Sequence, residues 1–236
     1  MKIHGFQKTT LLDYPGHVAA TVFTGGCNFR CPFCHNASLV LKPEKQPLIP
    51  AEEVLNHLEK RKGILEGVCI TGGEPTLERG LKQFMSQCRE MGYLVKLDTN
   101  GYRPEVLQEI VKEGLTDYVA MDIKASLKNY GVAAGCPNID TEKIRESIRL
   151  LRTSGIACEF RTTAVKGIHS VDEFEEIGKL LSGCSLYCLQ TFRESGDILG
   201  QNAAQGSMET FSGQEMEQIA ALMGKYVEKV VIRGVE

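Results

Sequence analysis

The sequence predicts an α/β protein whose parallel strands form a barrel or a partial barrel. Short β-branched runs alternate with longer amphipathic helical patterns along the 236 residues, which indicates repeated β-α-β units. Six or seven such units are more than a small flavodoxin-like sheet holds. Unusual polar residues follow the ends of the strands, where a barrel of this kind carries its chemistry.

Runs rich in apolar and β-branched residues predict seven strands, at 17–24, 67–71, 93–99, 117–123, 157–165, 185–192 and 227–233. Apolar residues spaced three and four apart predict helices between them, within 48–63, 77–92, 103–114, 140–155, 170–183 and 212–226. Asp140 or Thr141 and Ser170 are candidate N-caps, and Gly92 ends the second helix. Residues 1–236 are expected to form one domain, with 1–18 as an N-terminal extension and 19–36 as the first strand and its loop.

The composition excludes several classes of protein. The chain is 42% hydrophobic and 24% charged, as globular proteins are. Its net charge of −3 gives no basic surface for nucleic acid. No apolar run approaches the ~18 residues of a membrane span, and the N-terminus lacks the apolar segment of a signal peptide. These features predict a cytoplasmic protein without a nucleic-acid or membrane partner.

Three of the nine cysteines stand close together, in the stretch "GGCNFRCPFCHN". Cys27, Cys31 and Cys34 follow the spacing C-x3-C-x2-C directly after the first predicted strand. Cys184 and Cys188 form a C-x3-C pair without a third cysteine, which is a weak signal for a second metal site. The other cysteines stand apart in mostly apolar surroundings, as small core residues do; they are Cys69, Cys88, Cys136 and Cys158.

Clustered thiolates are soft ligands that suit zinc or an iron–sulfur cluster. A structural zinc site needs a fourth ligand, usually from a second paired motif, and no such pair follows. His35 is adjacent to Cys34, and His57 and His169 stand alone, so one of them would have to serve. A cubane of four irons also normally takes four thiolates. With three, one iron keeps an open coordination position that a group other than the protein must fill.

In this motif the chain resembles the radical S-adenosylmethionine (SAM) superfamily, and the aromatic Phe33 before the third cysteine belongs to the same pattern. The resemblance implies a partial (β/α)6 barrel and a 4Fe–4S cluster on Cys27, Cys31 and Cys34. It also implies that the amino and carboxylate groups of SAM bind the open iron. Reductive cleavage of SAM would then give a 5′-deoxyadenosyl radical that abstracts hydrogen from a substrate, so the protein would be an oxidoreductase whose cofactors supply the chemistry.

The string "TGGEPT" after the second predicted strand resembles the superfamily's GGE motif. Glycines at a strand end also form ordinary tight turns, so the pair alone is weak evidence. The resemblance implies that Gly72 and Gly73 let the backbone approach SAM. It implies that Glu74 accepts a hydrogen bond from the amino group of SAM.

The strings "KLDTNG" and "MDIK" resemble those of glycyl-radical-enzyme activases, the pyruvate formate-lyase activating group. A carboxylate pair at two strand ends could bind a cation or simply cap loops and helices. The resemblance implies that Asp98, Thr99 and Asp122 bind a monovalent cation. It implies that Asp122 meets the amino group of SAM, and that Lys124 pairs with its carboxylate.

Two further positions follow from the same resemblance. Arg161 occupies the position of an arginine near SAM in that group, and an arginine within an apolar strand needs a partner if it is buried. The group also places a histidine near the ribose on its sixth strand. Here the matching stretch "LYCLQTFRE" has none, and Gln190 or Phe192 takes that place.

The opening string "KTTLLDYPGHVAATVFTGGCNFRCPFCHN" and "LQTFR" resemble the activating proteins of anaerobic ribonucleoside-triphosphate reductase. This resemblance implies a glycyl radical enzyme as partner and flavodoxin or ferredoxin as electron donor. Alternatives are an activase of the pyruvate formate-lyase type, or a small-molecule radical enzyme like 7-carboxy-7-deazaguanine synthase. A non-enzymatic electron carrier or zinc module would need neither the GGE nor the DTNG string, and a carrier would use four cysteines.

Overall fold

The protein is described by a computed structural model that covers residues 1–194, 198–200 and 208–234. Eight strands form one sheet in chain order. They are Ile3–Thr10 (β1), Ala19–Thr24 (β2), Gly67–Gly72 (β3), Leu94–Thr99 (β4), Tyr118–Asp122 (β5), Ala157–Ala164 (β6), Leu186–Thr191 (β7) and Lys229–Arg233 (β8). Strands β2 to β8 are parallel to one another, so the predicted α/β fold with a parallel sheet is confirmed.

Residues 1–18, expected as an N-terminal extension, contain a strand, β1, that the sequence did not predict. β1 pairs antiparallel with β2 and forms one edge of the sheet. Its sequence "IHGFQKTT" mixes apolar and polar residues without a clean alternation, and three of its eight residues are exposed. An edge strand that is buried on few sides gives a weak hydrophobic pattern, which explains why the sequence did not reveal it.

Helices connect the parallel strands. They are Ala37–Leu41 (α1), Ala51–Lys60 (α2), Leu81–Glu90 (α3), Pro104–Lys112 (α4), Tyr130–Ala133 (α5), Thr141–Thr153 (α6), Val171–Leu180 (α7) and Gly213–Met223 (α8). The six longer helices match those predicted, while α1 and α5 were not predicted. The Asp140 side chain accepts from the backbone N–H of Glu142, and that of Ser170 from Glu173, as expected of N-caps. No helix in the described parts of the chain has the length and apolar composition that a membrane span requires.

The two faces of the sheet differ in chemistry, and this difference positions the site. Val68 and Ile70 on one face of β3 are fully buried in the hydrophobic core, as are Phe84 and Met85 of α3. The opposite face carries polar and charged side chains at alternate positions, such as Lys96 and Asp98 on β4, Glu159 and Arg161 on β6. Because the strands are parallel, their carboxyl ends meet at one end of the sheet.

We expect Ser212→Ala to lower the free energy of unfolding by about 1 kcal/mol, since it removes an N-cap. Ser212 Oγ accepts from the N–H of Glu215 at 3.3 Å, and the Glu215 carboxylate accepts from the N–H of Ser212 at 2.7 Å. Urea unfolding measures the change. The control is Ser185→Ala, at an exposed position outside the helices, which should change the free energy by less than about 0.5 kcal/mol. Equal stability of both variants would show that the cap contributes nothing.

Candidate active site

The three clustered cysteines lie in the loop between β2 and α1. The loop is held by backbone hydrogen bonds from Gly26 to Leu39 and from Arg30 to Ala134, each 2.8 Å long. Gly26 adopts a φ of 76°, a left-handed conformation that favours glycine. The thiols of all three cysteines face one cavity at the carboxyl ends of the strands.

The cavity gathers residues that are far apart in sequence. The predicted site residues that line it are Cys27, Cys31, Phe33, Cys34, Gly72, Gly73, Glu74, Asp98, Thr99, Asp122, Lys124 and Arg161. Gln190 does not line it, and its register neighbour Thr163 on β6 does so instead. Phe192 is buried and packs against the ring of His35, with 5.6 Å between ring centroids. The cavity therefore brings together all of the predicted site residues except Gln190 and its alternative Phe192.

The zinc alternative finds no ligand set in the described part of the chain, where no three His, Cys, Asp or Glu side chains could hold one metal ion. Both ring nitrogens of His169 are engaged by backbone groups, of Val165 and Lys124, and His57 packs against Phe6. His35 lines the cavity with the cysteines, and its Nε2 lies 2.7 Å from the carbonyl oxygen of Arg193. No histidine therefore completes a zinc site with the three thiols among the described residues.

Burial raises the pKa of Cys27 to about 11 and that of Cys31 to about 12. Both thiols are therefore protonated at neutral pH when no metal is bound. Cys27 Sγ accepts a hydrogen bond from the N–H of Phe29 at 3.3 Å, which favours its charged form. Metal binding to such thiols displaces their protons. The three soft sulfur donors that line one cavity fit an iron–sulfur cluster.

The glycine pair joins the end of β3 to the cysteine loop. A Cβ on Gly73 would lie 1.9 Å from the carbonyl oxygen of Gly26, so only glycine fits there. The same carbonyl accepts the N–H of Glu74 at 2.8 Å. Gly72 has a φ of 114°, and a Cβ there would lie 2.4 Å from the backbone of Thr24. The two loops thus approach each other backbone to backbone.

Glu74 connects this turn to the end of β4. Its carboxylate accepts hydrogen bonds from the N–H and the hydroxyl of Thr76 at 3.0 and 2.6 Å, the hydroxyl of Thr99 at 2.8 Å and the N–H of Asn100 at 2.7 Å. The side chain is 1% exposed, and burial raises its pKa although these hydrogen bonds oppose the shift. In this structure Glu74 therefore receives its donors from the protein and fixes two strand ends.

A chain of alternating charges crosses the floor of the cavity. Arg161 donates to Asp98 at 3.0 Å and to Asp122 at 2.8 Å. Lys124 donates to the other oxygen of Asp122 at 3.0 Å, and Lys96 to the other oxygen of Asp98. Burial by itself would raise the pKa of Asp122, but Arg161 and Lys124 outweigh it and lower that pKa to about 2. Arg161 and Lys96 likewise outweigh burial and lower the pKa of Asp98, so both aspartates are ionised at neutral pH.

The donor set does not fit the monovalent cation expected at Asp98, Thr99 and Asp122. Each of the four carboxylate oxygens already accepts from a cationic side chain. The hydroxyl of Thr99 donates to Glu74. The compensation that a bound cation would supply is already present, because Lys96 and Arg161 flank Asp98.

Sequence reasoning missed two residues of this site. The sequence pattern assigns Lys96 only to a strand, although its place two residues before Asp98 puts both side chains on one face of β4. The pattern gives Asn100 no role beyond its place in the DTNG string. Its side-chain amide donates to the Asn28 side chain at 2.8 Å and points to Cys27 Sγ at 3.8 Å. The sequence did offer a signal for Asn100. It is an amide side chain that follows a predicted strand, and the cysteine loop follows another strand at the same end of the sheet.

Sequence comparisons point to one superfamily. A profile of the radical SAM superfamily matches residues 21–181. A Methanocaldococcus jannaschii protein provisionally named a glycyl-radical enzyme activating enzyme is 32% identical over 237 residues, which cover 99% of this chain and 96% of the relative. A pyruvate formate-lyase-activating enzyme of Clostridium pasteurianum is 35% identical over 128 residues, which cover 52% of each chain.

Solved structures share the fold. Streptococcus suis SuiB bound to its precursor peptide SuiA superposes with a TM-score of 0.68 at 14% identity. The match covers 91% of this chain and 48% of SuiB, so this chain spans about half the length of that protein. SuiB bound to S-adenosylmethionine gives a TM-score of 0.65. At these identities the likeness shows the fold, and it agrees with the predicted partial barrel.

Proposed function

The chain belongs to the radical SAM superfamily, and from this membership we propose that it is an activating enzyme that forms a glycyl radical on a partner enzyme. The family implies a 4Fe–4S cluster and SAM as cofactors. The similarity to a glycyl-radical enzyme activating enzyme extends over 99% of this chain. The observation that carries the proposal is the single cavity in which the three thiols face the glycine turn and the charge chain.

Each group at the cavity has a role in this proposal. Cys27, Cys31 and Cys34 hold the cluster, which when bound supplies the electron for reductive cleavage of SAM. Lys124 binds the carboxylate of SAM, since it lines the cavity together with Cys31 and donates to a single oxygen of Asp122. Asp122 accepts from the amino group of SAM.

The backbone of the glycine turn supports these contacts. Gly72 and Gly73 present their main chain to the ligand without a side chain between them, and Glu74 keeps the turn in place through the hydrogen bonds to Thr76 and Thr99. Gln190 does not line the cavity, so Thr163 replaces it in our proposal as the polar residue on that wall. Phe33 and the loop backbone exclude water from the thiols.

The partner that we propose is an anaerobic ribonucleoside-triphosphate reductase, with flavodoxin or ferredoxin as the electron donor. The support is the string that leads into the cysteine loop, which resembles the activating proteins of that reductase. A pyruvate formate-lyase type partner is the alternative, since an activating enzyme of that kind is 35% identical over about half of the chain.

The proposal is tested with protein whose cluster is reconstituted without oxygen. We expect dithionite and SAM to give 5′-deoxyadenosine, and the reductase to give a glycyl radical signal in electron paramagnetic resonance. A reductase labelled with deuterium at glycine should transfer deuterium into 5′-deoxyadenosine. The control is a reductase in which alanine replaces the radical-bearing glycine. The activase function would be contradicted if SAM were cleaved but neither the reductase nor a pyruvate formate-lyase type enzyme acquired a glycyl radical. That result would favour a small-molecule substrate.

A further inference from the structure

We propose that the ammonium group of Lys96 is a built-in cation that holds Asp98 and Arg161 at the cavity, in place of an alkali metal ion. The effect of Lys96 on SAM binding rests on the proposed function. Its effect on the thermal stability of the chain does not. Lys96 is thereby a positioning residue, which acts on the ligand site through Asp98.

The surroundings of Lys96 are unusual for a lysine. Its side chain is 2% exposed, and it is the only buried lysine among residues 1–194, 198–200 and 208–234. Its register neighbours are Cys69 on β3 and Tyr118 on β5, so it stands on the inner face of the sheet. Removing an ammonium group from water is costly unless an anion compensates it. Asp98 supplies that anion.

Asp98 transmits the effect of Lys96 to the cavity. One of its oxygens accepts from Lys96, and the other accepts from Arg161 at 3.0 Å. Arg161 in turn donates to Asp122 at 2.8 Å. The exposed fraction of the Asp98 side chain is 14% and that of Arg161 is 12%, so water compensates these charges only weakly.

Asp98 has two cationic donors, one for each of its carboxylate oxygens. Lys96 donates to one oxygen and Arg161 to the other. Without Lys96 one oxygen of Asp98 would lose its cationic donor in a poorly hydrated place. An alkali or ammonium ion would then gain by entering, provided that space were left for it.

The experiment compares two variants that remove the charge and differ in the space they leave. Lys96→Ala removes the charge and opens a gap beside Asp98 and Cys69, whereas Lys96→Met removes the charge and fills the gap. Thermal unfolding is measured in potassium, ammonium or tetramethylammonium chloride at matched ionic strength. Tetramethylammonium cannot replace the lysine, because it is larger than the ammonium group and has no N–H to donate to Asp98. Lys82→Met, at an exposed ion pair with Glu109 and Glu113, controls for loss of a lysine charge.

We expect the wild-type midpoint to be the same in all three salts. The midpoint of Lys96→Ala should rise by about 3 °C in potassium or ammonium relative to tetramethylammonium, as expected when a ligand binds the folded state alone. Lys96→Met and Lys82→Met should show no such rise. Selective stabilisation of the wild type by potassium would overturn the proposal, because a metal site would then exist beside Lys96. Absence of rescue in Lys96→Ala would overturn it as well.

The second readout is the dissociation constant of SAM, measured by equilibrium dialysis on reconstituted protein. We expect Lys96→Ala to bind SAM about tenfold more weakly, with recovery in ammonium but not in tetramethylammonium. Lys96→Met should remain weak in every salt. If the wild type itself did not bind SAM, the proposed function would fail, while the thermal midpoints would still decide the role of Lys96.

Discussion

Cys31→Ala should give a folded protein that no longer cleaves SAM above the background rate. Cys31 is 7% exposed and lines the cavity together with Cys27 and Cys34. Its loss leaves two thiolates for a cluster that needs at least three protein ligands in this chain, so the electron for cleavage is not delivered. Iron and sulfide content per chain, and 5′-deoxyadenosine formed with dithionite, measure the effect.

The matched control is Cys158→Ala. Cys158 lies on β6, is also partly buried and does not line the cavity. Its replacement should leave iron content and cleavage near those of the wild type. If Cys31→Ala cleaved SAM as fast as Cys158→Ala, the three-cysteine cluster would be wrong. A reconstituted wild-type cluster with four protein ligands would also contradict it.

Gly73→Ala should have the second largest effect, because it separates the glycine turn from the cysteine loop. The new Cβ would lie 1.9 Å from the Gly26 oxygen and 2.7 Å from its carbonyl carbon. Backbone atoms cannot move aside as a flexible side chain does, so the loops must part. We expect unfolding to become easier by about 3 kcal/mol, at the upper end of overpacking costs. We also expect reconstitution to fail or to give a labile cluster.

The control for this prediction is Gly114→Ala. Gly114 also has a positive φ, of 64°, but a Cβ there would meet no atom within 4 Å. Its replacement should cost only the conformational penalty of about 1 kcal/mol and should leave cluster content unchanged. Urea unfolding and iron content, measured on both variants, distinguish the backbone strain of a non-glycine residue at positive φ from a steric clash of the new Cβ with Gly26. Equal losses in both would refute the argument from close approach.

The elements that sequence predicted well are those whose own pattern is long and periodic. The helix α6, Thr141–Thr153, shows an apolar residue at nearly every turn and has a capping Asp140. By contrast, α1 and α5 are five and four residues long. Helices so short are not stable by themselves, so packing decides whether they form. Local sequence could not reveal them for that reason.

The candidate site followed a similar rule. The motif residues Cys27, Glu74 and Asp98 were predicted because each stands in a string with a chemical meaning at a strand end. Lys96 was missed because a lysine in a strand normally faces water, and only the assembled sheet shows its burial against Asp98. Gln190 was predicted from a matching position alone, and position along a strand does not decide which side chains reach a cavity.

The contact between Gly26 and the Gly73–Glu74 turn has a consequence for assembly. Fixing the backbone of one residue costs about 1–2 kcal/mol of conformational entropy. Here the loop loses that entropy during folding, because hydrogen bonds of 2.8 Å from Glu74 to Gly26 and from Gly26 to Leu39 already order it. Iron therefore binds to a loop that is already ordered, and its binding is not needed to order that loop. A chain stripped of iron should stay folded, unlike a zinc finger, and should accept a new cluster repeatedly.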